Sequence, residues 1–308
     1  MKRLSVIGID AGGTKTEIML CGSDGEVLGR VAGGTGNPND IGIDACASMM
    51  IDAIRELCNT DEPAAIFGGV SGAGSGNNAR EIKERLQIAF PNAKIEVKTD
   101  ASNLLASGKS DGDSAALICG TGTALFVQRG SEEKRISGWG YMFDDGGSAY
   151  DLGRDALRAA LAFEEGLIPD GALCRRVRER LGKDAHSALA DIYKLGKAYI
   201  ASFARMTVEC AESGDETAEK IVGKSVSALC RRVEKAISLY GEIPELICGG
   251  GLFNSEYFTA RLSEGVEKYG VSLYIPSLPQ SFGACFRAAS LVDTVDKPTF
   301  TENFRRTV

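Results

Sequence analysis

Two stretches of this chain follow the same order of apolar strand, glycine- and threonine-rich turn, strand, turn and strand. The first spans residues 4–32 around Gly12-Gly13, and the second spans residues 115–137 around Gly120–Gly122. Short apolar runs bounded by glycine turns are typical of β-hairpins. Because a repeated order of elements indicates a repeated architecture, we expect two α/β halves, each opening with a three-stranded meander.

The rest of each half is predicted from its hydrophobic spacing. In the second meander we expect a polar turn at 130–133 and a last strand at 135–137. Helical spacing then dominates from about Ser148 to Tyr240. A late strand at 246–248 runs into the triple glycine 249–251. The second half is therefore expected to be richer in helices than the first.

Composition narrows the chemistry that such a chain can perform. Of 308 residues, 42 are acidic and 35 basic, and His186 is the single histidine. The acidic balance argues against a nucleic-acid partner, which would need a basic face. One histidine excludes paired-histidine metal sites, so proton transfer would fall to carboxylates.

The nine cysteines show no metal or redox spacing, since no pair lies closer than Cys46 and Cys58. We interpret them as small buried side chains in a reducing compartment. The apolar run before Asp10 is too short for a signal peptide, and no later stretch of about 18 apolar residues follows. We therefore expect a cytoplasmic protein without a membrane partner.

The glycine-rich loops do not match the two best-known nucleotide-binding fingerprints. The Rossmann pattern fails after Gly72-Ala73-Gly74, because Asn77 occupies the last glycine position. The two near-matches to the P-loop fail as well, because Asn103 and Ala218 stand where its first glycine belongs. A nucleotide site would have to be of another kind.

The two repeated turns suggest such a site. Two hairpin loops that carry threonine hydroxyls can hold the phosphates of a nucleotide, and Asp10 at a strand end can hold Mg²⁺ through water. The later run 249–251 would let adenosine lie against the backbone. Each loop alone is compatible with an ordinary turn, but the order of all three is more specific.

Five segments carry a resemblance to a known family: IGIDAGGTKTEIML, TDASN, CGTGTA, GWGYMFDDGGSAYDLG and CGGGLFNS. The chain resembles, from about residue 4 to 290, the N-acetylglucosamine kinase branch of the BadF/BadG/BcrA/BcrD ATPase family. The resemblance implies an α/β fold of two ribonuclease H-like (actin-like ATPase) domains with ATP in a central cleft. It places the N-terminal domain at 1–108 plus 286–308, and the C-terminal domain, with a helical insertion, at 109–285.

The resemblance also implies roles for individual residues. ATP-binding residues would be Asp10, Gly12, Gly13, Thr14, Lys15, Thr121, Gly214, Gly250, Gly251 and Ser255. Sugar-binding residues would be Asn37, Asp100, Gly122, Thr123, Gly138, Trp139, Gly140, Tyr141, Met142 and Asp145. Thr14 and Thr121 would contact the phosphates, and Asp10 would lie near Mg²⁺. The implied partner is an amino sugar, and a homodimer is expected.

Asp100 is the candidate catalytic residue, since the resemblance makes it the base that accepts the proton of the attacking sugar hydroxyl. An aspartate here is also a good N-cap for a helix that begins at Ala101, and the two roles are compatible. Asp145 could belong to a turn or could bind the ligand. Trp139 is the single tryptophan, and two roles are compatible with it: packing in the core or contacting the sugar.

The segments depart from the family at two positions. Gly146 stands where the family has a glutamate, and Lys15 replaces an arginine of some relatives. A glycosidase pairing of Asp100 with Asp145 would leave the phosphate loops unexplained. The principal alternative is an ATPase that activates a partner redox enzyme through an iron–sulfur cluster, with Cys119 as the candidate ligand. A sugar-sensing regulator without catalysis is the third interpretation.

The preferred interpretation is an ATP- and Mg²⁺-dependent kinase. It would transfer the γ-phosphoryl group to the 6-hydroxyl of an amino sugar, N-acetylglucosamine first.

Overall fold

Two five-stranded mixed sheets, each in its own unit of the chain, organise this computed structural model, which describes residues 4–59, 61–109, 112–130, 132–144 and 146–308. Unit 1 is Met1–Asp111 with Pro276–Val308, and unit 2 is Gly112–Ile275. Each sheet carries helices from its own unit. The predicted α/β class with two related halves is confirmed.

Unit 1 has the sheet order β3-β2-β1-β4-β5, in which β1–β3 are antiparallel and β4 and β5 run parallel to β1. Its strands are β1 (Ser5–Ala11), β2 (Thr16–Gly22), β3 (Val27–Gly33), β4 (Ala65–Val70) and β5 (Lys94–Lys98). Its helices are α1 (Pro38–Ile41), α2 (Ile43–Cys58), α3 (Asn78–Ala89), α4 (Ala101–Ala106), α11 (Gln280–Ser290) and α12 (Lys297–Thr307).

Both faces of this sheet are covered, because successive strand residues point to opposite sides. Ile7 and Ile9 pack in the cluster that includes α2 and α3. Val6 and Phe67 pack in the cluster formed with α11 and α12. Helix α11 crosses β1 closely at Gly8, where a Cβ would lie 2.4 Å from the backbone nitrogen of Cys285. Glycine is therefore required where α11 lies on the sheet.

Unit 2 repeats the strand order, here β8-β7-β6-β9-β10, with the same pattern of antiparallel and parallel pairs. Its strands are β6 (Ser114–Cys119), β7 (Thr123–Arg129), β8 (Glu132–Arg135), β9 (Glu245–Gly249) and β10 (Ser272–Tyr274). Its helices are α5 (Ala149–Glu164), α6 (Ala172–Leu181), α7 (Ala185–Ala201, interrupted at Gly196), α8 (Ala204–Glu212), α9 (Glu216–Tyr240) and α10 (Glu256–Glu267).

One predicted strand of unit 2 is present with different bounds. The last strand of the second meander, expected at 135–137, begins at Glu132 instead. Gly130, directly after β7, adopts a φ of 55°, a left-handed conformation that favours glycine. The strand is charged and, among the described residues, pairs with β7 alone. Charged side chains often protect such edge strands from further pairing. Because the strand is polar, hydrophobic spacing did not predict its bounds.

Candidate functional site

A carboxylate stands at the end of the first strand of unit 1. Asp10 pairs with Glu17 across β1 and β2 and is half-buried. The pKa of Asp10 is raised from 3.8 to about 6, mainly by burial and also by the negative charges of Asp100 and Glu17. The hydrogen bond from Asn103 and the charge of Lys15 lower the pKa. The charges of two other carboxylates thus act on Asp10 at this end of the sheet.

Asp100 precedes α4 at this end of the sheet. Its Oδ1 accepts a hydrogen bond of 3.1 Å from the backbone nitrogen of Ala101, which confirms the predicted N-cap. The side chain is partly buried, and its charge acts on Asp10. A carboxylate has about four sites that accept hydrogen bonds, so capping a helix and accepting a proton are compatible roles. The catalytic role of Asp100 stays a prediction.

Asn103, which the motif analysis did not select, contacts Asp10 directly. Its Nδ2 donates to Asp10 Oδ1 at 2.9 Å and to the carbonyl of Ile9 at 3.2 Å. The side chain is fully buried. The signal was present in TDASN, since residues three apart share a helix face and Asn103 follows Asp100 by three positions.

The first predicted phosphate loop projects from the sheet at residues 12–15. Gly13, Thr14 and Lys15 are exposed, and the Gly12 nitrogen donates to the Lys15 carbonyl at 2.8 Å. The Gly12 carbonyl accepts from Gly36 at 3.0 Å. In a planar trans peptide the C=O and the following N–H point in opposite directions, so the Gly13 amide faces away from Gly36.

The second loop, residues 120–122, is held by the start of α5. The Gly120 and Thr121 carbonyls accept from the backbone nitrogens of Ala149, at 2.9 Å, and Tyr150, at 3.2 Å. By the same peptide geometry, the amides of Thr121 and Gly122 point away from α5. Adjacent amides that share an outward direction suit an anion. Thr123, predicted near the sugar, is buried in β7, where its hydroxyl lies 3.6 Å from Cys119 Sγ.

Asn37 begins a short polar segment in unit 1. Its Oδ1 accepts from the Asn39 nitrogen at 3.0 Å and caps α1. A Cβ at Gly72, whose φ is 81°, would lie 2.2 Å from that oxygen. Asn78 Nδ2 donates to Asn39 Oδ1 and to the Gly72 carbonyl, both at 3.0 Å. This network engages the oxygen of Asn37 and leaves Nδ2 as the group that could donate to a ligand.

The segment 138–144 of unit 2 folds back on itself. Gly138 donates to Asp144 Oδ2 at 2.7 Å, and Asp144 also pairs with Arg232 of α9. Gly138 has a φ of 101°, and a Cβ there would lie 2.5 Å from Ala124 Cβ. Gly140 also has a φ of 101° and bridges to Asp144. Asp145, a predicted sugar ligand, lies outside the described residues.

Four large side chains of this segment are exposed, and Phe143 is the most accessible of them at 85%. Trp139 is 61% accessible, Tyr141 42% and Met142 73%. Core packing is therefore wrong for Trp139, whose ring stacks beneath the Arg135 guanidinium at 4.7 Å. Exposed aromatic side chains remain available to contact a ligand.

The predicted adenosine-binding residues lie in two places of unit 2. Gly250 packs on the strand that precedes the second loop, where a Cβ would lie 2.4 Å from the Cys119 carbonyl. Gly251 is exposed with open space above it, and Ser255 caps α10 by accepting from the Phe258 nitrogen at 3.2 Å. Gly214 is exposed in the turn between α8 and α9 with a φ of 87°.

The cysteines are mostly internal. Eight are buried, Cys58 is partly exposed, and none of the nine forms a disulfide. Cys119 lies within β6 beneath Gly250, a position that does not favour the iron–sulfur alternative. In the described part of the chain, the one cluster with metal-ligand geometry is Glu164, Asp184 and His186, which contains no cysteine.

None of the described helices combines the length and the apolar composition that crossing a membrane requires.

Comparison with known families gives one match to most of the chain. The model of the BadF/BadG/BcrA/BcrD ATPase family matches residues 7–285. The chain is 28% identical to an N-acetylmuramic acid/N-acetylglucosamine kinase of Clostridium acetobutylicum, over 81% of this chain and 86% of that protein. It is 26% identical to an N-acetyl-D-glucosamine kinase of Dictyostelium discoideum, over 86% and 91%.

Solved structures support the fold. A protein of Chromobacterium violaceum proposed to be an N-acetylglucosamine kinase superposes with a TM-score of 0.74 at 24% identity, covering 92% of this chain and 98% of that one. A ROK family glucokinase of Streptomyces griseus, solved with glucose and AMPPNP, gives 0.58 at 16% identity, covering 93% and 98%. At these identities the likeness is one of architecture.

Proposed function

The chain belongs to the BadF/BadG/BcrA/BcrD ATPase family, and on that premise we propose that it is an ATP-dependent sugar kinase. It transfers the γ-phosphoryl group to the 6-hydroxyl of an amino sugar, N-acetylglucosamine first. Two relatives that align over most of their length with most of this chain are named as kinases of N-acetylglucosamine, one of them also of N-acetylmuramic acid.

The observation that carries this proposal is the carboxylate arrangement of unit 1. Asp100 stands close enough to Asp10 for its charge to raise the pKa of Asp10, and the exposed loop 12–15 follows Asp10. A sugar hydroxyl is a weak nucleophile, and a carboxylate within hydrogen-bond reach orients it and accepts its proton. We assign that role to Asp100. Asp10 serves the phosphate side of the reaction.

The phosphates are bound by groups that the two loops expose. In unit 1 these are the backbone of Gly12 and Gly13 with the side chains of Thr14 and Lys15. In unit 2 the outward amides of Thr121 and Gly122 supply the same kind of donor. Hydroxyls and amides that are fixed before the reaction stabilise charge on a transferring phosphoryl group without reorganisation.

The residues present fit Mg²⁺ held through water by Asp10. Mg²⁺ usually retains several waters and uses one or two protein carboxylates together with substrate phosphates. The charges of Glu17 and Asp100 repel an ionised Asp10, and a cation beside Asp10 would offset that repulsion. When bound, Mg²⁺ neutralises charge on the phosphates. The part of Asp10 is to present an ionised oxygen at the strand end.

Sugar recognition is assigned to side chains and backbone of both units. In unit 1, Asn37 donates through Nδ2 to a sugar oxygen, and Asp100 accepts from the 6-hydroxyl. In unit 2 the assigned residues are Gly122, Thr123, Gly138, Trp139, Gly140, Tyr141, Met142 and Asp145. The buried Thr123 contributes mainly backbone.

Binding of the adenosine part of ATP, its base and its ribose, is assigned to unit 2. Gly250 and Gly251 allow close approach of adenosine to the backbone, and Gly214 and Ser255 complete the set. We further propose that the enzyme is a cytoplasmic homodimer that needs no nucleic acid or membrane partner.

The test is an ADP-release assay with ATP and Mg²⁺ across N-acetylglucosamine, glucosamine, N-acetylmuramic acid and glucose. We expect N-acetylglucosamine to raise ADP release well above the sugar-free rate, and phosphorus NMR to find the product phosphate on the 6-oxygen. ATP turnover that no amino sugar increases would overturn the kinase assignment. A preference for glucosamine would keep the reaction and change the substrate.

A further inference from the structure

The buried side chain of Asn103 stands between the two carboxylates to which the reaction is assigned. It lies on α4 one turn after Asp100, and its Nδ2 donates to Asp10 Oδ1 at 2.9 Å and to the Ile9 carbonyl at 3.2 Å. A single amide group therefore joins the end of β1 to α4, the helix that Asp100 caps.

The chemistry of its neighbours fixes the orientation of this amide. Asp10 Oδ1 and the Ile9 carbonyl are both acceptors, so only Nδ2 can face them. The opposite orientation would place Asn103 Oδ1 against two oxygens. The amide therefore presents two donor bonds to β1 and turns its oxygen away.

That oxygen shows that packing alone does not explain the residue. Asn103 Oδ1 is buried and is among the described side-chain atoms without a hydrogen-bond partner. A buried polar group without a partner is unfavourable, and an apolar side chain of similar shape would avoid it. The donor side of the amide is thus the reason for an asparagine here.

Two glycines of neighbouring elements pack closely against Asn103. A Cβ on Gly69 of β4 would lie 2.2 Å from Asn103 Oδ1, and a Cβ on Gly283 of α11 would lie 1.9 Å from the Asn103 carbonyl. Glycines on both sides allow α4 to approach the sheet closely. The asparagine is held by packing from β4 and α11 while it bonds to β1.

We infer that Asn103 is a positioning residue that fixes the Asp10 carboxylate to α4 and so sets its separation from Asp100. The inference rests on the proposed function, in which Asp10 serves Mg²⁺ and the phosphates and Asp100 serves the sugar hydroxyl. Asn103 touches neither substrate. It acts by holding one carboxylate where the other can work with it.

The decisive variant is Asn103→Leu, which keeps the branched shape and removes both donors. We expect kcat to fall by about 10- to 100-fold, as is usual when a residue behind a metal ligand is lost, with the KM for the sugar within about twofold of wild type. Calorimetric titration with ADP supplies a readout that is independent of turnover. We expect the gain in ADP affinity that Mg²⁺ gives the wild type to be lost.

Ser107→Ala, at the C-terminal cap of α4, is the matched control. Ser107 Oγ donates to the Asn103 carbonyl at 2.9 Å and is buried, so its loss removes a hydrogen bond from α4 without touching the Asn103 amide. It should leave both readouts within about twofold of wild type. If Asn103→Leu retained kcat and the Mg²⁺-dependent gain, or if Ser107→Ala lost them equally, the positioning role would be wrong.

A second pair of variants displaces Asn103 without changing it. Gly69→Ala places a methyl group 2.2 Å from Asn103 Oδ1, whereas at Gly68 the nearest atom is 3.6 Å away. Gly69→Ala should reproduce the loss of the Mg²⁺-dependent gain, and Gly68→Ala should not. A wild type that binds Mg²⁺ and ADP but phosphorylates no amino sugar overturns the proposed function, and the calorimetric gain then still decides for or against Asn103.

Discussion

The two units share a strand order but differ in chemistry at equivalent positions. In unit 1, Asp10 of β1 pairs with Glu17 of β2 and with Gly69 of β4. In unit 2 the corresponding residue is Ile118 of β6, which pairs with Ala124 and Gly249. The glycine on the parallel strand is common to both, and the two carboxylates are present only in unit 1.

This difference separates the roles of the two halves. Unit 1 gathers side chains with charge, namely Asp10, Glu17 and Asp100, around one end of its sheet. Unit 2 offers mainly backbone there, through the loop 120–122 and the glycines 249–251. We therefore expect changes of charge to damage unit 1 and changes of shape to damage unit 2.

The largest effect is expected from Asp100→Asn. Loss of the base should lower kcat by about 10²–10⁴-fold, while asparagine keeps the N-cap and so the stability. Steady-state kinetics and thermal unfolding measure the two quantities. Asp184→Asn is the control, because Asp184 caps α7 through the Ser187 nitrogen in unit 2. Equal activity in both variants would remove the proton-transfer role from unit 1.

The backbone role of unit 2 is tested by adjacent glycines. Gly250→Ala forces a methyl group to 2.4 Å from the Cys119 carbonyl at a φ of 103°, and should lower the free energy of unfolding by about 2–4 kcal/mol. Gly251→Ala meets nothing within 4 Å and should leave stability unchanged. Denaturant unfolding measures this difference.

The same pair locates the nucleotide. If adenosine lies on the backbone of unit 2, Gly251→Ala should raise the KM for ATP although the fold is intact. An unchanged KM would show that adenosine does not bind at the glycines 249–251.

How much of this could be predicted from the sequence depends on how far apart the interacting residues are. The repeat, the strands around Gly12 and Gly120, and the helix after Asp100 follow from local patterns and are confirmed. The contact between Asp144 and Arg232 could not be predicted, because no local signal links positions so far apart in the chain.

The features of the site that the sequence did not predict also depend on residues far apart in the chain. Asn103 was assigned no role because its partner Asp10 lies on a distant strand. The exposure of Trp139 was left open, since its glycine neighbours set a backbone path and not a burial. Local sequence patterns predict the helices and strands, whereas tertiary packing determines which side chains are in contact.

A smaller effect is expected on the pH dependence of stability, through the charge of Asp10 in unit 1. Folding raises the pKa of Asp10 from 3.8 to about 6, so protonation favours the folded state. That stabilisation is complete below about pH 4 and is lost as the pH rises through about 6. Asp10→Asn should therefore be more stable than wild type by about 1–3 kcal/mol above pH 7 in metal-free buffer, and the two should converge near pH 4.

Denaturant unfolding from pH 4 to 8 measures this difference. Mg²⁺ should raise the stability of the wild type and leave that of Asp10→Asn unchanged. Curves that stay parallel across the range would contradict the raised pKa.

The smallest effect asks whether unit 2 contributes any side chain to the nucleotide beyond its backbone. Ser255→Ala removes the cap of α10 and should cost about 1 kcal/mol of unfolding free energy. Ser255→Asp should restore that stability, because aspartate caps as well as serine. The KM for ATP separates the two roles: if the hydroxyl also contacts adenosine, both variants raise it. If Ser255→Asp restores stability and KM together, Ser255 is a cap alone, and unit 2 meets the adenosine at this position through glycine backbone only.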